Sequence, residues 1–162
     1  MYRDLNLPKY LIKTKPIPGG MQVFDEVRKK WVAYTPEEYV RQQFIQHLIQ
    51  NLGFSPARLA VEKGFKLYSR TKRWDIAYHN RMGEWRMLVE VKSADVPITQ
   101  TVVDQIAQYN IALQIPFLIV TNGLQHLCFF LDKSSNSYEK LTKLPFAKDV
   151  EWLIEIFNFL QK

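Results

Sequence analysis

Cysteine is almost absent from this chain, and the one present, Cys128, excludes an internal disulfide framework and a cysteine-rich zinc site. It sits in the apolar run Leu127-Cys128-Phe129-Phe130-Leu131, the setting of a buried, inert thiol rather than a nucleophile. Long hydrophobic runs are missing as well. No window approaches the roughly 20 apolar residues of a membrane span, and Met1-Tyr2-Arg3-Asp4-Leu5-Asn6-Leu7-Pro8 offers no signal-peptide core. A cytoplasmic protein without a membrane partner is expected. No G-x-x-x-x-G-K-S/T phosphate loop occurs, so ATP hydrolysis is not expected. Acidic residues are outnumbered, 16 against 22 Lys and Arg, leaving a formal charge of +6. That balance suits a polyanionic partner without requiring one.

What is present is globular. The 162 residues, 47% hydrophobic and 14% aromatic, are enough for one domain with a buried core. Residues 1–34 are punctuated by Pro8, Pro16, Pro18, Gly19 and Gly20, with short strand candidates at Leu11-Ile12, Met21 to Phe24 and Trp31 to Tyr34. They read as an arm or small hairpin packed on a single domain of residues 35–162. Arg28-Lys29-Lys30 reads as a solvated turn, or as a phosphate contact.

Thr35-Pro36-Glu37-Glu38 opens the first helix, with Thr35 as N-cap, Pro36 at the first turn and Glu38 completing a capping box. Tyr39, Val40, Phe44, Ile45, Leu48, Ile49 and Leu52 supply its apolar stripe, and Gly53 ends it. Glu38 thus has a structural task; Glu37, four before Arg41, is freer to face a site. His47 reads as a surface histidine. A long strand follows from Leu59 to about Tyr68, and Lys63, Lys66, Arg70, Lys72 and Arg73 around it form the densest basic cluster. Interleaved with Phe65, Tyr68 and Trp74, that cluster suits a nucleic-acid backbone or an ordinary solvated hairpin equally well.

Trp74 to Tyr78 alternates with period two, as does Trp85 to Lys92 with Met87, Val89 and Val91 on one face. His79 to Glu84 joins the two strands as a polar hairpin loop. Glu90 and Lys92, two apart, project from one face. If the strands pair, Asp75 lies beside them. An ion pair accounts for that geometry; so does a cation site in which Asp75, Glu90 and the Val91 carbonyl offer hard oxygen ligands to Mg²⁺ and Lys92 touches water or phosphate.

After Lys92, a helix from Thr99 to about Leu113 carries Val102, Val103, Ile106, Ala107, Ile111 and Ala112 on its apolar face and Gln105 and Tyr109 together on another stripe. Pro116 to Gly123 is a continuous apolar strand, the mark of a sheet centre, reached by a crossover expected to be parallel and right-handed. Gln125 to Leu131 adds a strand, Tyr138 to Leu141 an edge, and Val150 to Leu160 a terminal helix with Trp152, Leu153, Ile156, Phe157 and Leu160 facing in. The fold class is α/β: a mixed central β-sheet flanked by helices in αβββαβ order, with an N-terminal arm and a C-terminal helix.

Over about residues 20 to 135, this order resembles the PD-(D/E)xK nuclease superfamily, and more narrowly the N-terminal nuclease domain of type I restriction enzyme R subunits. Thr35-Pro36-Glu37-Glu38-Tyr39-Val40-Arg41-Gln42-Gln43, Arg73-Trp74-Asp75-Ile76, Val89-Glu90-Val91-Lys92 and Gln105-x-x-x-Tyr109 carry the match. Trp74 stands where the motif's name has proline. The resemblance implies a restriction-endonuclease-like core and Mg²⁺-dependent DNA cleavage, with Mn²⁺ able to substitute. Asp75, Glu90 and Val91 would hold the ion, Lys92 would position the water, and Glu37 would assist through water. Gln105 and Tyr109 would orient the strand, with Lys63 and Arg73 as further substrate contacts. Specificity, modification or translocase subunits would be supplied in trans. Two other classes stay open: a non-cleaving nucleic-acid-binding accessory module and a protein-interaction domain whose charges merely pair.

Overall fold

The computed structural model describes residues 2–67 and 70–151. The chain first forms an antiparallel meander of β1 (Thr14–Ile17), β2 (Gly20–Asp25) and β3 (Lys30–Ala33). Helix α1 (Pro36–Gln50) follows, then β4 (Leu59–Leu67), β5 (Arg70–His79), β6 (Trp85–Val91), α2 (Gln100–Leu113), β7 (Phe117–Thr121), β8 (His126–Asp132) and β9 (Ser137–Leu141). The last six strands make one mixed sheet in sequential order. Every neighbour pair in it is antiparallel except β6 and β7. Parallel neighbours need a crossover of a dozen or more residues, and α2 supplies it.

Each face of the sheet carries a helix. Val40, Phe44, Ile45 and Leu48 of α1 pack with Ile76, Tyr78, Met87, Val89, Val91 and Ile119. Ile106 of α2 packs with Ala77, Leu88, Leu118 and Val120 on the other side. Neighbouring strand residues divide between the two clusters because side chains alternate across a strand. Residues 117–121 are buried throughout, the pattern of a strand covered on both faces. The α1 face holds the larger cluster, and at about 1.5–3 kcal/mol per buried aliphatic or aromatic side chain it dominates the stability of the domain. Cys128 lies in that cluster, 2% exposed, and burial pushes its thiol up to about 12.

The N-terminal arm lies on the main body. Leu5 and Leu7 pack against the α1-side cluster, and the Asn6 N–H donates to the Gly123 carbonyl at 2.8 Å. Gly123 has φ +81°, and a Cβ there would stand 2.7 Å from Leu5 Cδ2. Further along, Gln43 clamps Tyr10 through both backbone groups. The Tyr10 hydroxyl meets His47 Nδ1 at 2.8 Å. His47 is therefore half-buried under the arm rather than a plain surface residue.

Several sequence expectations need correction. Leu11 and Ile12 are outside any strand, and Leu11 is fully exposed; β1 begins at Thr14 because its pairing with β2 is centred on the tight Pro18-Gly19 turn. Thr35 caps α1 by accepting the Glu38 N–H at 3.1 Å, but the Glu38 carboxylate is spent on Arg28, Arg41 and Gln42, so the reciprocal half of the capping box does not form. On α2, Ile111 is 67% exposed and Asn110 is fully buried in its place; the helix rotates toward positions 106 and 110, and Asn110 holds the turn at Ile115 through both amide atoms. The period-two readings also break. Trp74 lies with Ala77 on the α2 side although Ile76 and Tyr78 face α1, and Trp85 lies opposite Met87 because a bulge shifts the register between Tyr78 and His79. A helix begins at residues 147–151; the inward-facing residues expected at Trp152, Leu153, Ile156, Phe157 and Leu160 fall outside the described residues.

Candidate active site

The ladder between β5 and β6 ends at the pair Ile76 and Val89. Just beyond it, the Val91 N–H donates to the Asp75 carboxylate at 2.8 Å instead of to a backbone carbonyl. A side chain thus takes over where the backbone pairing stops, and this fixes Asp75 beside the Glu90-Val91-Lys92 segment.

Across β5 on the other side, Glu62 has φ +50°. It sits between the register pairs Val61 with Ile76 and Lys63 with Trp74, directly across from Asp75. A left-handed backbone in a non-glycine strand residue is strained, and such strain gathers at functional sites. The conformation turns the strand pair at this point, which is why Trp74 leaves the face of Ile76.

Two arginines knit the surroundings together. Arg41, from α1, is only 4% exposed; it binds Asp75 and Glu37 at 2.9 Å each, Glu38 through a short contact, and Glu62 at 3.7 Å. Arg28, from the β2–β3 turn, binds Asp25, Glu38 and Glu62 at 2.6 Å each. Gln42 bridges Asp25 and Glu38 at 2.8 Å, and Arg73 reaches Glu62 at 3.3 Å. The N-terminal meander is therefore tied into the site through a buried polar network: of the Arg28-Lys29-Lys30 turn, Arg28 is buried in ion pairs, while the Lys29 side chain and Lys30 are exposed to solvent. Although burial opposes a charge on Arg41, Asp75 and the other carboxylates hold its guanidinium more firmly protonated than usual.

Lys92 Nζ donates to Glu90 Oε1 at 2.6 Å. Burial, and then the neighbouring charge of Asp75, pushes the Glu90 carboxyl above its ordinary value in spite of Lys92. Burial works against the Lys92 charge, but the hydrogen bond and charge of Glu90 outweigh it, raising the ammonium above its ordinary value. On α2, Gln105 Nε2 donates to the Tyr109 hydroxyl at 3.2 Å, and Lys72 Nζ from β5 donates to the same oxygen at 2.9 Å. These two donors pull the Tyr109 phenol below its ordinary value.

Of the residues singled out in the sequence, Asp75, Glu90, Lys92 and Glu37 come together, each within electrostatic reach of Glu90. Tyr109 feels the Glu90 charge, and Gln105 is linked to it through the Tyr109 hydroxyl. Arg73 faces Glu62, and Lys63 stands apart with its ammonium 4.9 Å from the Trp85 ring. Asp25, Gln42 and Glu62 belong to the surroundings and were missed, as was the central place of Arg41 and Glu38; Arg28 and Lys72, singled out only as basic residues suited to phosphate, belong there too. Glu38, Arg41 and Gln42 were legible in principle, since polar residues at i, i+3 and i+4 adjoin the apolar stripe of α1. Arg28 carries no such signal.

Within this cluster six carboxylates (Asp25, Glu37, Glu38, Glu62, Asp75 and Glu90) meet four cations (Arg28, Arg41, Arg73 and Lys92). Two negative charges are left over. Among the described residues, no three His, Cys, Asp or Glu side chains converge to enclose a metal by themselves.

The described residues form an α/β fold, a mixed six-stranded sheet with a helix on each face. The chain belongs to the family described as type I restriction enzyme R protein N terminus, whose model matches residues 36–145. No curated protein matches the sequence. Among solved structures, the fragment structure of a protein assigned as an HsdR subunit of a type I restriction enzyme, from Vibrio vulnificus YJ016, is similar in fold, with a TM-score of 0.50 at 18% identity. The match covers 71% of this chain and 24% of that one. No helix among the described residues is long and apolar enough to cross a membrane.

Proposed function

We propose that this chain is a metal-dependent DNA endonuclease domain of a restriction system, with a PD-(D/E)xK core. The observation that carries the reading is geometric: the Val91 N–H holds the Asp75 carboxylate at 2.8 Å beside a half-buried Glu90, whose Oε1 accepts from Lys92 Nζ at 2.6 Å; burial and then the Asp75 charge push the Glu90 carboxyl upward. The donor set fits a hard cation. Mg²⁺ keeps several waters and takes only one or two protein carboxylates, so the lack of a third ligand among the described residues does not oppose it. A strand residue sends its N–H and C=O to the same side, which supports the Val91 carbonyl as a further oxygen in the gap beside Asp75.

When bound, Mg²⁺ stabilises phosphoryl charge and lowers the pKa of a coordinated water. Asp75 and Glu90, with Val91, hold it. Lys92, kept cationic by Glu90, orients the attacking water and adds positive charge where the transition state gathers negative charge. Glu37 acts through water. The Tyr109 hydroxyl, already accepting from Gln105 and Lys72, has its own proton left to offer a phosphate oxygen. Other subunits acting in trans and a cytoplasmic setting belong to the same reading.

One observation favours a second reading, a nucleic-acid-binding module that does not cut: both Asp75 oxygens are already engaged, by Arg41 and the Val91 N–H. Supercoiled-plasmid cleavage with Mg²⁺ or Mn²⁺, run beside EDTA, Asp75→Ala and Lys92→Ala, separates the two. Nicking that vanishes in all three controls, with the circular dichroism of the variants unchanged, supports the endonuclease. An inert wild type that still binds DNA supports the module, and unfolding of Lys92→Ala makes the lysine a structural ion partner instead.

A further inference from the structure

The cations around the site are sorted by face. Arg28, Arg41 and Arg73 meet carboxylates on the α1 side, and Lys92 meets Glu90. Lys63 and Lys72 make no ion pair with any described carboxylate. Their ammonium groups rest instead on aromatic rings, Lys63 on Trp85 at 4.9 Å and Lys72 on Tyr109 at 4.7 Å.

Register puts these two lysines together. Lys63 pairs with Trp74, and Phe65 with Lys72, across β4 and β5; directly paired residues, and residues two apart, share a face. Phe65 and Trp74 stack at 4.6 Å, and Trp85 meets Trp74 edge-on at 5.0 Å. One face of the hairpin thus presents two lysines at diagonal corners of an aromatic platform, and Lys72 ties its inner end to Tyr109 at 2.9 Å. Arg73, opposite Gly64, points to the other face, where Glu62 neutralises it.

We infer that the α2-side face of the β4–β5 hairpin, with Lys63 and Lys72 set about the stacked Phe65 and Trp74, is a track for a nucleic-acid phosphodiester backbone leading to the carboxylate site. The inference rests on the endonuclease reading for its direction. Charge complementarity carries it: a lysine without a carboxylate gains most from a phosphate, and releases a condensed counterion when it binds one. An ammonium parked on a ring is also preorganised, so less side-chain freedom is lost on contact. Arg73, already paired, has less to offer.

The test is metal-free binding of a labelled DNA duplex of arbitrary sequence in EDTA, followed by fluorescence anisotropy across a KCl series. Wild-type chain is compared with Lys63→Gln, Lys72→Gln and Arg73→Gln. Each phosphate contact contributes about 0.9 to the slope of log K against log salt on duplex and about 0.7 on single strands, so each lysine variant is expected to flatten the slope by close to one contact. Arg73→Gln is expected to change it by clearly less. Lys63 is exposed and Lys72 half-buried, and unchanged circular dichroism verifies that the variants fold. Unchanged slopes in both lysine variants, an equal change in Arg73→Gln, or a wild type without salt-dependent binding would each overturn the track. A protein that binds with the expected slopes but cuts no plasmid retires the endonuclease reading alone. Asp75-dependent cutting with unaltered lysine slopes retires the track alone.

Discussion

Replacing Arg41 with Gln should be among the most damaging single changes to the site, and the structure says by how much. Arg41 is 4% exposed and is shared by Glu37, Glu38, Glu62 and Asp75. Removing one partner of a buried ion pair costs about 3–5 kcal/mol, because the charges left behind are neither solvated nor paired. Arg28 and Gln42 still hold Glu38, and the Val91 N–H still holds Asp75, so the lower half of that range applies. For a domain of this size, each kcal/mol moves the Tm by about 2–4 °C. A drop on the order of 6–15 °C in a metal-free thermal melt follows. Arg41→Lys keeps the charge but loses the planar fork, and should recover only part of it. The vacated site then carries an extra uncompensated negative charge, so Mg²⁺ should raise the Tm of Arg41→Gln more than that of the wild type. A tenfold excess over the dissociation constant is worth about 1.4 kcal/mol. A Tm within about 2 °C of wild type, or equal Mg²⁺ responses in both proteins, would refute the reasoning.

Three further outcomes are expected. Because the native Glu90 carboxyl titrates above its ordinary value, the native state binds that proton more tightly than the unfolded chain, and the cost of ionising Glu90 grows as pH rises through the raised value. Metal-free Glu90→Gln should therefore gain Tm relative to wild type as pH increases; a difference that is flat or falls with pH would contradict this. Burial lowers the native values of both His47 and His126 below the ordinary 6.5, so stability should fall as pH drops below about 6.5, with His126→Asn flattening the profile in a urea titration. Gly123→Ala places a Cβ against Leu5 at a positive φ and should cost about 1–2 kcal/mol, with faster proteolysis of the arm before Tyr10; an unaltered urea midpoint would show that Leu5 moves aside freely.

Much of the fold could be read locally. Thr35 and Pro36 start α1 because capping chemistry is set by adjacent residues, and the apolar run at 117–121 becomes a strand buried on both faces because a sequence with no polar side has no other place. Asp75, Glu90 and Lys92 were legible as a group because strand spacing and a hairpin loop bring them together without knowledge of the rest. Where the period broke, at Trp74 and Trp85, the cause was a left-handed Glu62 and a bulge, neither of which composition or spacing encodes.

The sequence by itself determined where α1 starts, the strand buried on both faces at 117–121 and the nearness of Asp75 to the Glu90-Val91-Lys92 segment, since these depend on interactions between residues near one another along the chain. Only the tertiary structure decided which cations the carboxylates keep. Arg28 reaches Glu62 and Glu38 from a separate sheet, Arg41 reaches Asp75 from a helix 34 residues away, and Lys72 reaches Tyr109 across 37. Charge pairing acts through space and is strongest where burial removes water, so these partners follow from how helix, meander and sheet pack, and from nothing shorter in range.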